Sequence, residues 1–370
     1  MVYIFGGGIS GLCLSILLSR NGVDNHIYDS NDTYNSRGLG YTILPNGISA
    51  FERLGLSEKI ISQSIKLNNA LIKSSSEISL SYKLPDYCYG ITRECLMNIL
   101  YEEVSPGSVS FSKEFVGFEK FENGCYVNLF DGKYKSISKM RVDLLRDVCV
   151  GADGINSKVR GCIFPDVSLN DSTVREMSLI AHHENLNALV GSDFIEMHHP
   201  LGGLTFGIAP LSKNIAVMYI IYSKKNRKKI ECMKGKSYLK SIIREITNDK
   251  LFCHVLDLCD LNNSYRWLYR DAELLPDFHK GRVVLIGDAA HPMLPFSTQG
   301  VSSAVEDAVT LSDCIVTHGN LEGNIDEILN SYNKARNASM QSKIDGSRWL
   351  MKQFMMEKND FSLVRPSIIL

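Results

Sequence analysis

The stretch that most constrains this chain is Gly6-Gly7-Gly8-Ile9-Ser10-Gly11, set between the apolar run Val2-Tyr3-Ile4-Phe5 and the apolar segment Leu12 to Leu18. The run before it predicts a short buried strand, the segment after it a helix reaching Arg20, and His26-Ile27-Tyr28 a second strand. Strand, glycine turn, helix and strand together make a βαβ unit. Gly6 permits the tight turn, Gly8 lets the backbone approach a pyrophosphate, and Gly11 lets helix and strand pack closely. Ser10 shares the turn, where the free N–H groups of a helix terminus face phosphates. Asp29 follows at the end of the second strand, placed to accept hydrogen bonds from a ribose diol. Dinucleotide binding is predicted, without separating FAD from NAD.

Further along, Asn46 to Leu54 and Glu94 to Glu103 have helical spacing, and residues 71–84 and 108–140 alternate like antiparallel hairpins. Val148-Cys149-Val150 reads as a buried strand, and Phe194 to His199, Leu204 to Ile208 and Ala216 to Tyr222 as a strand-rich middle. Val283 to Ile286 is one more short strand, ahead of a helix from about Val301 to Thr317 and a helical tail from Asn324 to Lys358. Nucleotide-binding strands thus stand at both ends of the chain. The expected fold is α/β, a Rossmann-like domain interrupted by a mostly antiparallel β-sheet domain, with a helical C-terminus. Residues 1–70, 91–175 and 268–318 are assigned to the nucleotide domain, 71–90 and 176–267 to the second sheet, and 319–370 to the tail.

Composition removes several classes. The 370 residues carry 41 acidic against 40 basic side chains, so no global field draws the chain to nucleic acid or an anionic membrane. Ten cysteines without a Cys-x-x-Cys pair indicate reduced thiols and a cytoplasmic location. No apolar window approaches the ~20 residues of a membrane span. The pairs His182-His183 and His198-His199 would offer one ligand to each strand face, so no metal site is expected. Lys224 to Lys240 is densely basic and opposed only by Glu231, which suits a solvated face or, as an alternative, the docking of an acidic carrier protein.

Gly281 to Pro292, containing Gly287-Asp288-Ala289-Ala290-His291, is followed by Pro295 and by Gln299-Gly300-Val301. This pattern resembles the FAD-dependent monooxygenases of the aromatic-hydroxylase type, the family of p-hydroxybenzoate, salicylate and tetracycline hydroxylases and zeaxanthin epoxidase. Cys149 to Arg160 is similar to that family's Asp-Gly fingerprint, and Arg37 to Gly47 and Ile91 to Leu96 to its arginine-bearing segments. The likeness covers 1–55, 90–165 and 275–340. It implies that Asp288 holds the ribityl chain of FAD and that Asp153 organises the pyrophosphate region and pyridine-nucleotide access. Arg93 would lie against the ribityl-pyrophosphate part and Arg37 near the flavin. The helix beginning at Gly300 and Val301 would aim its N-terminus at the flavin pyrimidine edge, where an anion is stabilised. Asp29 stands where glutamate is commoner in the family, and Thr298 where glycine is frequent.

The resemblance further implies that NADH or NADPH reduces the flavin and that O2 adds to give a flavin C4a-hydroperoxide. One oxygen atom then enters an electron-rich small organic substrate, aromatic or polyketide-like, by hydroxylation or epoxidation, in the manner of secondary metabolism. The middle sheet would cover that substrate, which makes His198, Phe206 and Tyr219 candidates together with Pro295 in its loop. Periodicity leaves open which strand face is inside. A related FAD-dependent reductase or dehydrogenase and a non-catalytic flavin-binding protein stay open as alternatives.

Overall fold

Val2–Phe5 occupies an inner position of a six-stranded sheet because its branched and aromatic side chains can be buried on both faces, as parallel strands require. The computed structural model describes residues 1–34, 39–73, 78–121, 124–225, 230, 235–319, 321 and 323–357. In the sheet, Val2–Phe5 pairs in parallel with Asn25–Tyr28 on one side and with Val148–Gly151 on the other. Val283–Leu285 pairs in parallel with Val148–Gly151, so strands separated by long excursions close one nucleotide-binding sheet. The helices Ile9–Arg20 and Gly300–His318 pack against each other beside it.

The second sheet has seven strands, in the order Tyr265–Asp271, Asn170–His182, Ile215–Ser223, Leu204–Pro210, Phe194–His198, Asn69–Lys73 and Ile78–Lys83. All neighbours are antiparallel except Phe194–His198 with Asn69–Lys73. Both faces are covered. Met177, Phe206, Met218 and Ile220 face an outer core closed by the helices Lys236–Ile246 and Leu251–Leu258. Val174, Phe194, Ala209, Tyr219 and Ile221 face an inner core shared with Leu44, Leu294 and Phe296. Lys113–Phe121, Gly124–Asp131 and Ser136–Asp143 form a separate three-stranded antiparallel sheet, and Gly40–Ile43, Tyr89–Thr92 and Ile65–Lys66 another.

Two crossings between the large sheets fall away from the expected positions. Asn170 pairs with Asp271, so both strands remain in the seven-stranded sheet to that point, and the crossings lie before 170 and after 271 rather than at 176 and 268. The ladder extends because each added pair satisfies two more backbone groups.

The Ile325–Met355 helix spans both parts of the molecule. Near its start Tyr332 donates to the Leu285 carbonyl at 3.1 Å; further on Ser347 donates to Leu294 O at 2.8 Å. At its end the Phe354 carbonyl accepts the Gly203 N–H at 2.8 Å. Gly202 permits that approach, since a Cβ there would stand 2.2 Å from Met356 O and its φ is +67°. Among the described residues no helix is long and apolar enough to cross a membrane.

Candidate active site

The glycine turn behaves as its spacing predicts. Gly6 has φ +115° and a Cβ would sit 2.2 Å from Ala152 O, while a Cβ on Gly11 would sit 2.0 Å from Gly6 O. Gly8 differs from both, because no heavy atom of the described residues lies within 4 Å of its Cβ position. Two glycines are required by the protein's own packing, and the one between them opens on empty space.

That space is a cleft with two lobes. One lobe, about 380 Å³, is bordered by Asp29, Asn31, Lys113, Asp153 and Lys158; the other, about 440 Å³, by Ser10, Tyr41, Arg93, Asp288, Pro295 and Gly300. Gly8, Ala152 and Gly154 border both, so the lobes meet at the glycine turn. A dinucleotide whose pyrophosphate crosses Gly8 would place one end in each lobe.

In the first lobe Asp29 accepts the Gly7 N–H at 2.6 Å and the Asn31 N–H at 2.8 Å, which fixes its carboxylate at the lobe's edge. Asp153 is engaged by its own loop. It accepts from the Ser157 hydroxyl at 2.5 Å and from the backbone N–H of Lys158 and Val159 at 2.7 and 3.1 Å. Burial raises the Asp153 carboxyl and these donors oppose the rise. Its part is to shape the turn that carries Gly154.

In the second lobe, Asp288 is open to the cleft between the buried Gly287 and Ala289, and walled by protein elsewhere. That enclosure raises its carboxyl above the usual range and nearby Asp307 adds to it, against His291, Arg160 and Arg93. Arg93 stacks on Tyr41 at 5.6 Å, donates to its hydroxyl, and leaves Nε buried with no partner among the described residues. Burial pushes the Tyr41 phenol up to about 12. The Gly300–His318 helix opens on this lobe through Gly300 and Val301, preceded by Thr298 at φ 57°, a left-handed conformation that favours glycine. Arg37 lies outside the described residues.

Arg160 was not among the expected site residues, although it ends the Asp-Gly stretch. It is buried and donates to Asp288 O at 3.2 Å, Ala289 O at 3.0 Å and Ile155 O at 2.5 Å, tying the two loops of the cleft together. Asp307 and Arg336 are likewise absent from the expectations; the available signal is an acid, Asp307, at a position of the 300–318 helix whose spacing makes it buried with Val305 and Ala308.

On the seven-stranded sheet the candidates separate. His198 and Tyr219 stand on the inner face and meet at Glu196, which accepts the Tyr219 hydroxyl at 2.9 Å and lies 3.3 Å from His198 Nε2. Thr205 Oγ1 is 2.9 Å from His198 Nδ1. Burial, reinforced by Glu196, drives the Tyr219 phenol well above its ordinary range. Phe206 is the correction: its side chain is fully buried in the outer core, with the whole sheet between it and the cleft. The inner face packs on the loop that carries Pro295, where Phe296 meets Tyr269 edge-on at 5.4 Å. Of the basic 224–240 stretch, 226–229 and 231–234 lie outside the described residues, and Lys240 pairs with Asp257 at 2.5 Å.

A parallel nucleotide-binding sheet with a two-lobed cleft, and a second sheet packed on the loop that borders it at Pro295, defines a dinucleotide-dependent oxidoreductase. The chain belongs to the FAD binding domain family, whose pattern matches residues 1–347. Monooxygenase 1 of Arabidopsis thaliana is 25% identical over 354 residues, covering 90% of this chain and 85% of that protein. The 3-hydroxybenzoate 6-hydroxylase 1 of Aquipseudomonas alcaligenes is 25% identical over 362 residues, covering 90% and 84%. Among solved structures, PqsL, a probable FAD-dependent monooxygenase from Pseudomonas aeruginosa, superposes with a TM-score of 0.79 at 19% identity, covering 96% of this chain and 97% of that one. Klebsiella pneumoniae HpxO, solved with FAD and uric acid, gives 0.77 at 18%, covering 94% and 87%. The structural likenesses show the fold; the family match shows the FAD-binding class. This chain is an FAD-dependent oxidoreductase of the monooxygenase type.

The residues present fit FAD. Gly8 leaves room for a phosphate, Arg93 holds an unpartnered buried donor, and a helix N-terminus opens on the lobe that contains Asp288.

Proposed function

We propose that this enzyme inserts one atom of dioxygen into an electron-rich aromatic substrate, with NADH or NADPH as reductant and the substrate held between the Asp288 lobe and the inner face of the seven-stranded sheet. The observation that carries this reading is the meeting of Glu196, His198 and Tyr219 on the one sheet face that packs against the Pro295 loop. The names of relatives, a hydroxybenzoate hydroxylase among them, support an aromatic substrate.

Bound and reduced, FAD supplies the activation of dioxygen. The chain supplies placement and dryness. Gly8 and Arg93 would hold the phosphates, Asp288 the ribityl hydroxyls, and Asp29 the ribose. The Gly300 helix terminus would face the anionic edge of the reduced ring. Leu294, Phe296 and Tyr269 exclude water from the adjoining core. The raised Tyr219 phenol keeps its proton at neutral pH and acts as a donor, which leaves the Glu196–His198 pair to take a proton from a phenolic substrate.

The test follows NADH and NADPH oxidation by the FAD-loaded protein across a phenol library while hydrogen peroxide is measured. Substrate-dependent oxidation with less peroxide than nicotinamide consumed supports the reading. Stoichiometric peroxide with every compound, and no oxygenated product, contradicts it.

A further inference from the structure

The Ile325–Met355 helix contributes no strand or loop to the cleft, yet one of its side chains reaches the back of the Asp288 loop. Arg336 is buried. Its Nε donates to Asp307 Oδ1 at 2.7 Å, its Nη2 donates to the Ser303 carbonyl at 3.2 Å, and Nη2 stands 3.0 Å from a Glu306 oxygen. The second oxygen of Asp307 accepts the Gly287 N–H at 2.6 Å and meets His291 Nε2 at 2.6 Å. Gly287 immediately precedes Asp288 and holds φ +60°. A continuous line of contacts therefore runs from the tail helix through Asp307 to the peptide that aims Asp288 into the cleft.

We propose that Arg336 is a positioning residue for the flavin: by orienting the Asp307 side chain it fixes the Gly287 N–H, and with it the Asp288 carboxylate. This rests on the FAD reading of the cleft and not on the oxygenation chemistry.

The loop is clamped from two sides. Arg160 binds the carbonyls of Asp288 and Ala289, while Asp307 binds the one N–H ahead of them. Removing Arg160's counterpart behind the loop frees the peptide to rotate about a residue with a wide conformational range. The charged and titratable groups facing Asp307 are His291, Arg336, Glu306, Asp288 and Tyr332, with Lys343 bound to Glu306 and Arg160 beyond Asp288. Burial works against the Asp307 charge, and His291 and Arg336 overcome it. Without Arg336 the carboxyl moves back up, and once protonated it is a weaker acceptor for Gly287.

The test is FAD affinity of the full chain, by flavin fluorescence quenching from pH 5 to pH 8, with apoprotein melting measured in parallel. The unmodified chain should show a flat profile. Arg336→Met should bind FAD at least about ten-fold more weakly, as expected for loss of a charge-assisted contact, and more weakly at pH 5 than at pH 8. Arg336→Lys should recover most of the affinity at pH 8. Asp307→Asn, which has no carboxyl to titrate, should bind weakly with a flat profile. Unchanged affinity in Arg336→Met overturns the proposal, as does a uniform loss across pH that merely tracks a lower melting temperature. Should Arg336→Met not fold, a pH-dependent profile in Asp307→Asn overturns it instead. If the unmodified chain binds no FAD, the reading of the cleft falls with it, which separates the two failures.

Discussion

Tyr219 donates its phenolic proton to Glu196 at 2.9 Å, and both side chains are buried on the sheet face that packs against the Pro295 loop. Losing the hydroxyl leaves a buried carboxylate with one fewer donor. Tyr219→Phe is expected to lower stability by about 1–3 kcal/mol in urea unfolding while leaving FAD affinity intact. Equal stability of the two proteins would mean that the hydrogen bond is compensated by water.

The glycines of the turn make opposite predictions. Gly6→Ala forces a Cβ to 2.2 Å from Ala152 O at φ +115°, so the apoprotein should melt at a markedly lower temperature. Gly8→Ala meets nothing within 4 Å among the described residues, so the apoprotein melting temperature should hardly move. Its cost falls on the ligand: FAD affinity should drop by at least about ten-fold, because the methyl group occupies the approach of the pyrophosphate. Parallel melting and FAD titration of both variants check this.

Asp288→Ala removes the carboxylate that opens into the larger lobe. Flavin content of the purified protein should fall sharply, with a dissociation constant raised roughly ten- to hundred-fold, the range for a hydrogen bond to a charged group. Wild-type flavin retention would show that the ribityl chain is held elsewhere.

Against the cost of burial, His291 and Arg336 hold the Asp307 carboxyl down at about 2, below the usual carboxylate range, so its folded form binds fewer protons than its unfolded form in that interval. The stabilisation is complete above the unfolded value and is lost as pH falls toward 2. It amounts to roughly 2 kcal/mol. Urea unfolding at pH 6 and pH 3 should show wild type losing more stability on acidification than Asp307→Asn; parallel losses would mean that other carboxyls carry the acid sensitivity.

The βαβ unit and the Gly287-Asp288 loop were legible in the sequence because their chemistry is local. A glycine required at φ +115°, or one whose Cβ would stand 2.0 Å from a carbonyl oxygen, announces itself by its type and spacing. The inward face of the seven-stranded sheet was not legible. Leu204–Pro210 is buried along its whole length, so alternation carries no sign, and Phe206 could as well have faced the cleft as the outer helices. Glu196 gave a hint, as a lone acid between Ile195 and Met197. Arg336 gave none, since its partner Asp307 lies on a different helix and only the packing of the two helices brings them to 2.7 Å.

The most direct test is a binding comparison of FAD with its two halves, FMN and AMP, on the apoprotein. Lobes of about 380 and 440 Å³ joined at Gly8 predict one FAD per chain, bound at least about a hundred-fold more tightly than either fragment, because only the whole molecule engages both lobes. FMN binding as tightly as FAD, or no binding of FAD, would contradict the assignment.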